Sequence, residues 1–202
     1  MRRLFRRTGL RYRNRIENRK NLFHSSKISI SINNYGDIFS DFDPRPYSQR
    51  ALSDDFLSET KKASLDKQAG KFELDFLLPQ RKRNLDNEKI IKRRLRMHFN
   101  RHYDLAKSEM SHIIKKGAAF SVMGIIFMFS ATLLHFKFSE PSLLISFFIV
   151  LLEPAGWFSF WEGLYQIVFE SKTVKPELDF YTKMSKCKIN FLSYKTKGRT
   201  GI

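Results

Sequence analysis

The chain has 202 residues, with 37 Lys and Arg against 20 Asp and Glu, a formal net charge of +17. Its mean hydropathy is polar at -0.39 although 20 residues are Phe, so the apolar residues are segregated, chiefly between Gly117 and Phe169. One cysteine, Cys187, excludes an intrachain disulfide and a cysteine-clustered metal site, and the charge suits an anionic surface.

Residues 1–26 form a basic tail in which arginines from Arg2 to Arg19 interleave with Leu4, Phe5, Leu10, Tyr12 and Ile16. The tail lacks the apolar core of a signal peptide. It reads as unstructured; a segment lying on a membrane and an arginine-rich RNA arm are the alternatives.

Residues 27–80 read as a small α/β domain. Ile28, Ile30 and Ile32 alternate with serines, as in a strand, and Asn33–Gly36 reads as a turn. In Asp43–Pro44–Arg45–Pro46, each proline fixes its own φ and restricts the residue before it, which gives a stiff extended segment. Asp43, Pro44, Pro46, Tyr47 and Arg50 are candidates for a partner contact or for an internal latch closed between Asp43 and Arg50. Ser53 followed by Asp54 and Asp55 starts a helix expected to run to Lys67 and to end near Gly70. Phe72, Leu74, Phe76 and Leu78 alternate in a second strand closed by Pro79, so the domain reads β–α–β.

Residues 81–116 are a basic linker and a basic amphipathic helix. Ile91, Leu95, Phe99, Tyr103, Ala106, Met110 and Ile113 recur at steps of three and four on one stripe. His98 and His102 are spaced as zinc ligands can be, but no third ligand accompanies them, and they read as solvated. Gly117–Phe136 carries no charged side chain, and at about 1.5 Å per residue it matches a hydrocarbon core of about 30 Å. His135 reads as an interfacial residue at its outer end. Glu140–Pro141 sets a tight turn, and Leu143–Phe169 is a second apolar stretch. Lysines flank both stretches while only Lys137 lies in the turn, which places both termini in the cytoplasm. In the tail, residues 170–202, Val174–Pro176 reads as a break and Glu177–Ser185 as a short helix, with disorder from Ser193.

The second apolar stretch holds Glu153, followed by Pro154, whose missing N–H frees the carbonyl of Val150. A carboxylate at mid-span is costly and marks a candidate polar site. Three readings stand: a protonated pin bonded to a neighbouring helix, a pore or cation site among several subunits, and a reentrant segment that brings Glu153 to water. Trp157 and Trp161 follow Glu153 at four and four on one face, whereas Glu162 is on nearly the opposite face, at the interface. Gly117, Ser121 and Gly124 in the first stretch, and Gly156, Ser159 and Gly163 in the second, form small-residue seams of the kind that lets helices approach closely.

Tyr35–Leu57 (YGDIFSDFDPRPYSQRALSDDFL) and Glu153–Glu170 (EPAGWFSFWEGLYQIVFE) together resemble an uncharacterised family of small bacterial two-span inner-membrane proteins. The resemblance covers roughly Ile28 to Asn190 and leaves out Met1–Phe23. It implies the bacterial inner membrane and this architecture, and no catalytic residue. A looser likeness to calcium uniporter pores rests on Glu153–Pro154, but here Val150, Leu151 and Leu152 stand where that family has an acidic partner.

The expected fold class is therefore α+β: a small cytoplasmic β-α-β region, a long basic helix, then a two-helix transmembrane hairpin. The expected function is a membrane-anchored structural or interaction protein, with an oligomeric channel or transporter component using Glu153 as the alternative. No enzymatic activity, metal or cofactor is expected. Expected partners are anionic lipid head groups, possible further copies of the chain and a cytoplasmic protein; nucleic acid is not expected.

Overall fold

A computed structural model describes residues 25–65, 71–138 and 142–194. The elements are strand β1 (Ser25–Ser31), a 3-10 turn (Tyr35–Ile38), helix α1 (Asp54–Leu65), strand β2 (Lys71–Pro79), a second 3-10 turn (Gln80–Lys82), helix α2 (Leu85–Lys137), helix α3 (Leu143–Tyr165), a π turn (Gln166–Glu170), helix α4 (Ser171–Ser185) and strand β3 (Lys188–Tyr194). Two compact units result. One comprises the described residues up to Arg101 together with those from Phe180 to Tyr194; the other is His102–Asp179.

The first unit is built on a three-stranded, all-parallel sheet in the order β1-β2-β3. Alternation along each strand sends side chains to two unlike faces. Ile28, Leu74 and Ile189 align across one face, as do Ile30, Phe76 and Phe191. Phe76 stacks on Phe191 with ring centroids 5.0 Å apart, and Phe56 of α1 packs on Phe76 at 5.8 Å. Ile91, Leu95 and Phe99 from α2, with Phe180 and Met184 from α4, complete the buried core. The stripe expected along residues 91–113 is real: Ile91, Leu95 and Phe99 are fully buried, and Ala106 and Ile113 nearly so.

The other face of the sheet is mainly polar, with Leu77 and Leu192 aligned at one end of it. Lys27, Glu73 and Lys188 align across it, and so do Ser29, Asp75 and Asn190. Lys27 Nζ lies 3.3 Å from Glu73, and Asn190 Nδ2 donates to the buried Asp75 at 2.8 Å. The hydrogen bond to Glu73, with Asp75 close by, holds the Lys27 ammonium above its ordinary pKa. Parallel sheets usually bury both faces; this one carries its apolar layer on one side only.

Three expectations are corrected. The β–α–β region does not stand alone, because a third strand from the tail completes its sheet. The tail does not break at Val174–Pro176: α4 runs through Pro176, where the only loss is one helical bond to Lys172, at residues exposed to water. Order continues past Ser193 to Tyr194 because Ile189 and Phe191 fill the sheet's apolar face. The basic helix continues without a break into the first apolar stretch as the single helix α2; its turns to Arg101 belong to the sheet unit and the rest to the other unit. The readings of residues 1–24, of the end of α1 beyond Leu65 and of the Glu140–Pro141 turn lie outside the described residues.

Cys187 is buried, and burial pushes its thiol up to about 11. It is therefore an inert packing residue. Phe191→Ala should destabilise the sheet unit by about 3–5 kcal/mol in denaturant titration, the ordinary loss for a buried aromatic. A change below about 0.5 kcal/mol would mean that the tail strand is dispensable to the core.

Candidate functional site

In the unit His102–Asp179, α2 and α3 are long and apolar enough to cross a membrane. They pack through their small residues, antiparallel, and the glycines are required by the closeness of approach. A Cβ added to Gly124 would lie 2.5 Å from the backbone nitrogen of Phe160 and 2.6 Å from the carbonyl oxygen of Gly156. One on Gly156 would lie 2.6 Å from Met128 Cγ, and one on Gly117 2.8 Å from the Gly163 carbonyl oxygen. One on Gly163 would overlap Ser121 Oγ. Ile149, Gly156 and Gly163 repeat at sevens along the buried side of α3, with Ser159 beside them. Such seams let backbones touch where no hydrophobic drive separates protein from lipid.

Glu153 is on the opposite, outward part of α3. It is exposed, as are Pro154, Trp157 and Trp161, and the two indoles meet edge-to-face at 5.6 Å. Among the described residues Glu153 makes no bond to α2, so the pair does not pin it. Pro154 sits inside α3 and leaves the Val150 carbonyl without its helical donor at the same level. Carboxylate and carbonyl are therefore offered on the surface of the pair, among the exposed Val150, Leu151, Trp157 and Phe158.

Sequence reasoning missed Gln166. It opens the π turn and is 2 % exposed; its Nε2 donates to Glu162 Oε1 at 2.9 Å, while its own Oε1 is buried without a partner. Ser121 Oγ is likewise buried and unpaired. Glu162 is thus half-buried and bonded to Gln166 rather than simply solvated. Nothing in the local residue pattern signals a π turn.

In the sheet unit, the stiff segment is a closed loop. Phe39 and Leu52 pair as an antiparallel bridge at its neck, where Ser40 N–H donates to the Ala51 carbonyl at 3.0 Å. Asp43 does not pair with Arg50. Its carboxylate takes Arg45 Nη2 at 2.7 Å and Arg45 Nε at 2.9 Å, and accepts the Ala51 N–H at 2.7 Å. Arg50 instead donates from Nε to the Ser40 carbonyl at 3.0 Å, and Arg94 Nε donates to the Arg50 carbonyl at 3.0 Å, which ties the loop to α2. Tyr47 stacks on Phe39 at 5.2 Å. Pro44 and Pro46 are exposed, and Phe42 is 98 % exposed at the rim of this fixed loop.

Behind the loop, Glu88 is buried and takes Arg83 through two bonds, at 2.8 and 3.0 Å, and the Tyr35 hydroxyl at 3.2 Å. Burial, foremost, raises the Tyr35 phenol. The group has structural partners on all sides and fixes the start of α2 beneath the 3-10 turn.

No family model, curated protein or solved structure matches the chain. Among the described residues, no three His, Cys, Asp or Glu side chains are placed to hold a metal ion. His98 packs edge-on to Phe99 at 5.7 Å and near Tyr181, and His135 is exposed.

The hydrogen bonds from Arg45, then the Ala51 N–H, hold the Asp43 carboxyl far below the usual carboxylate range. A lowered native pKa stabilises the closed loop at every pH above the ordinary carboxylate value, about 3.9, and the effect is lost only as pH falls through the depressed value. Amide exchange at Ala51, corrected for intrinsic rate, should therefore stay constant from neutral pH to about pH 5. Asp43→Asn should exchange severalfold faster across that range. Equal rates in the two proteins would show that Asp43 does not close the loop.

Proposed function

We propose that the chain is a two-span integral membrane protein that anchors its α/β unit to the cytoplasmic face of a membrane, where the unit contacts a protein partner through the closed loop Ser40–Arg50. The observation that carries this reading is the place of the apolar pair: it is spliced between β2 and β3, which lie side by side in one sheet. A sheet on one side of a membrane can enclose only an even number of crossings in its crossover. Two apolar helical stretches with small residues along their contact, the second carrying Glu153, supply them.

The loop supports the contact. Ordering a loop costs conformational entropy, and this one is already held by Asp43, Arg45, Arg50 and Arg94 while it displays Phe42, Pro44 and Pro46. Lysines at both junctions and only Lys137 at the turn support termini in the cytoplasm. The bacterial inner membrane rests on the family resemblance alone. No enzymatic role is proposed.

A second reading is favoured by the outward exposure of Glu153. A carboxylate on the lipid-facing side of a helix pair is costly, so it calls for cover by another protein surface. Several copies with Glu153 turned toward a common axis would make a cation-conducting assembly.

The anchor reading predicts that the chain stays in the membrane pellet after alkaline extraction and that reconstituted vesicles show no ion flux above protein-free vesicles. Flux that Glu153→Gln abolishes without changing assembly would establish the conducting reading instead. Release by alkali would sink both.

A further inference from the structure

The proposed membrane reading leaves one cavity unexplained. A shallow pocket of about 400 Å³ runs along α2 and is lined by Asp104, Lys107, Ser108, Ser111, His112 and Lys115. The six recur at steps of three and one, so they occupy a single face over about three helical turns. That face ends two residues before Gly117, where the uncharged stretch begins.

Its polar groups are unspent. Elsewhere the helical hydroxyls of Thr60, Thr132 and Ser171 donate back to the carbonyl four residues earlier, the usual fate of Ser and Thr inside helices. Ser108 and Ser111 make no such bond among the described residues. Asp104, His112 and Lys115 have no partner there either, and Lys107 only leans over the Tyr103 ring at 5.7 Å. Two ammoniums, two hydroxyls and an imidazole thus lie side by side along one shallow groove, a donor set that fits phosphate oxygens. Asp104, at the end away from Gly117, offers an acceptor suited to a head-group hydroxyl.

We infer that this groove binds the head group of an anionic phospholipid, with the phosphate among Lys107, Ser111, His112 and Lys115 and a polyol hydroxyl on Asp104. Lipid is the source because the groove abuts the stretch that enters the bilayer on the reading above, on which this inference rests. The charge complementarity is local to this one helix face, which distinguishes it from the chain's diffuse basic excess.

The test uses the full chain in detergent, with phosphatidylglycerol as the probe and native mass spectrometry counting retained lipid. Lys107→Ala with Lys115→Ala should weaken retention about 25-fold, two ammoniums at about a factor of five each. Lys116→Ala with Lys172→Ala removes equal charge beside the same apolar stretches but outside the groove, and should change retention less than about twofold. All four lysines are exposed, so the variants keep the fold. Equal losses in both pairs would overturn the site in favour of diffuse attraction. Glycerol 3-phosphate competing as well as the lipid itself would overturn the lipid as ligand. A chain that is soluble without detergent would refute the membrane reading and this inference with it, whereas a detergent-requiring chain that retains phosphatidylcholine equally would refute this inference alone.

Discussion

The parallel ladder between β2 and β3 constrains everything else. Residues Glu73–Pro79 are in register with Lys188–Tyr194, so the whole stretch from Gln80 to Cys187 is one crossover connection. Parallel strands always need a crossover, commonly a single helix. Here it consists of a 3-10 turn, three helices and a π turn. Loop-closure entropy grows only with the logarithm of length, so this connection costs about 1–2 kcal/mol more than a single-helix crossover. The stack of Phe76 on Phe191, with Ile189 beside Leu74, offsets that easily. The ladder therefore fixes both ends of the apolar pair to one body, whatever the pair is embedded in.

The pair itself is lopsided. Its inner side is a backbone-to-backbone seam in which Gly117, Gly124, Gly156 and Gly163 leave no room for a methyl group. Its outer side carries an ionisable group, Glu153, next to a proline and two tryptophans. The two sides differ in kind: the seam holds the helices together, and the outer face leaves a carboxylate exposed among apolar side chains. Near the other end of the seam, Gln166 and Ser121 keep buried polar atoms unpaired beside the π turn, and π turns often mark functional positions.

Much of this was legible in the sequence, for reasons of period. β1 and most of β2 showed alternation, α2 showed its stripe, and the small-residue seams showed their spacing. β3 had the same alternation in Lys188–Ile189–Asn190–Phe191, but a short strand behind a proline reads as tail, and no local pattern records a partner strand lying beyond two apolar helices. Pro176 was misread as a break because proline's cost depends on whether the freed carbonyl can meet water, and Lys172 and Pro176 are exposed. Asp43 and Arg50 belonged to one loop as expected, yet the pairing was wrong: Arg45 is nearer in sequence and its fork suits both carboxylate oxygens. The groove at Asp104–Lys115 was hidden inside a uniformly basic helix, since charge counting cannot tell a spent donor from a free one.

The central claim is that the sheet closes around an even number of membrane crossings. Single-cysteine labelling with a membrane-impermeant thiol reagent on intact cells tests it directly, because the native Cys187 is buried and its thiol is held protonated. Cysteines placed at Ser29 in β1 and Ser193 in β3, the two strands that flank β2, should both be protected until the membrane is opened, while one at Lys137 should react at once. Ser29 and Ser193 labelling from opposite sides would contradict the account.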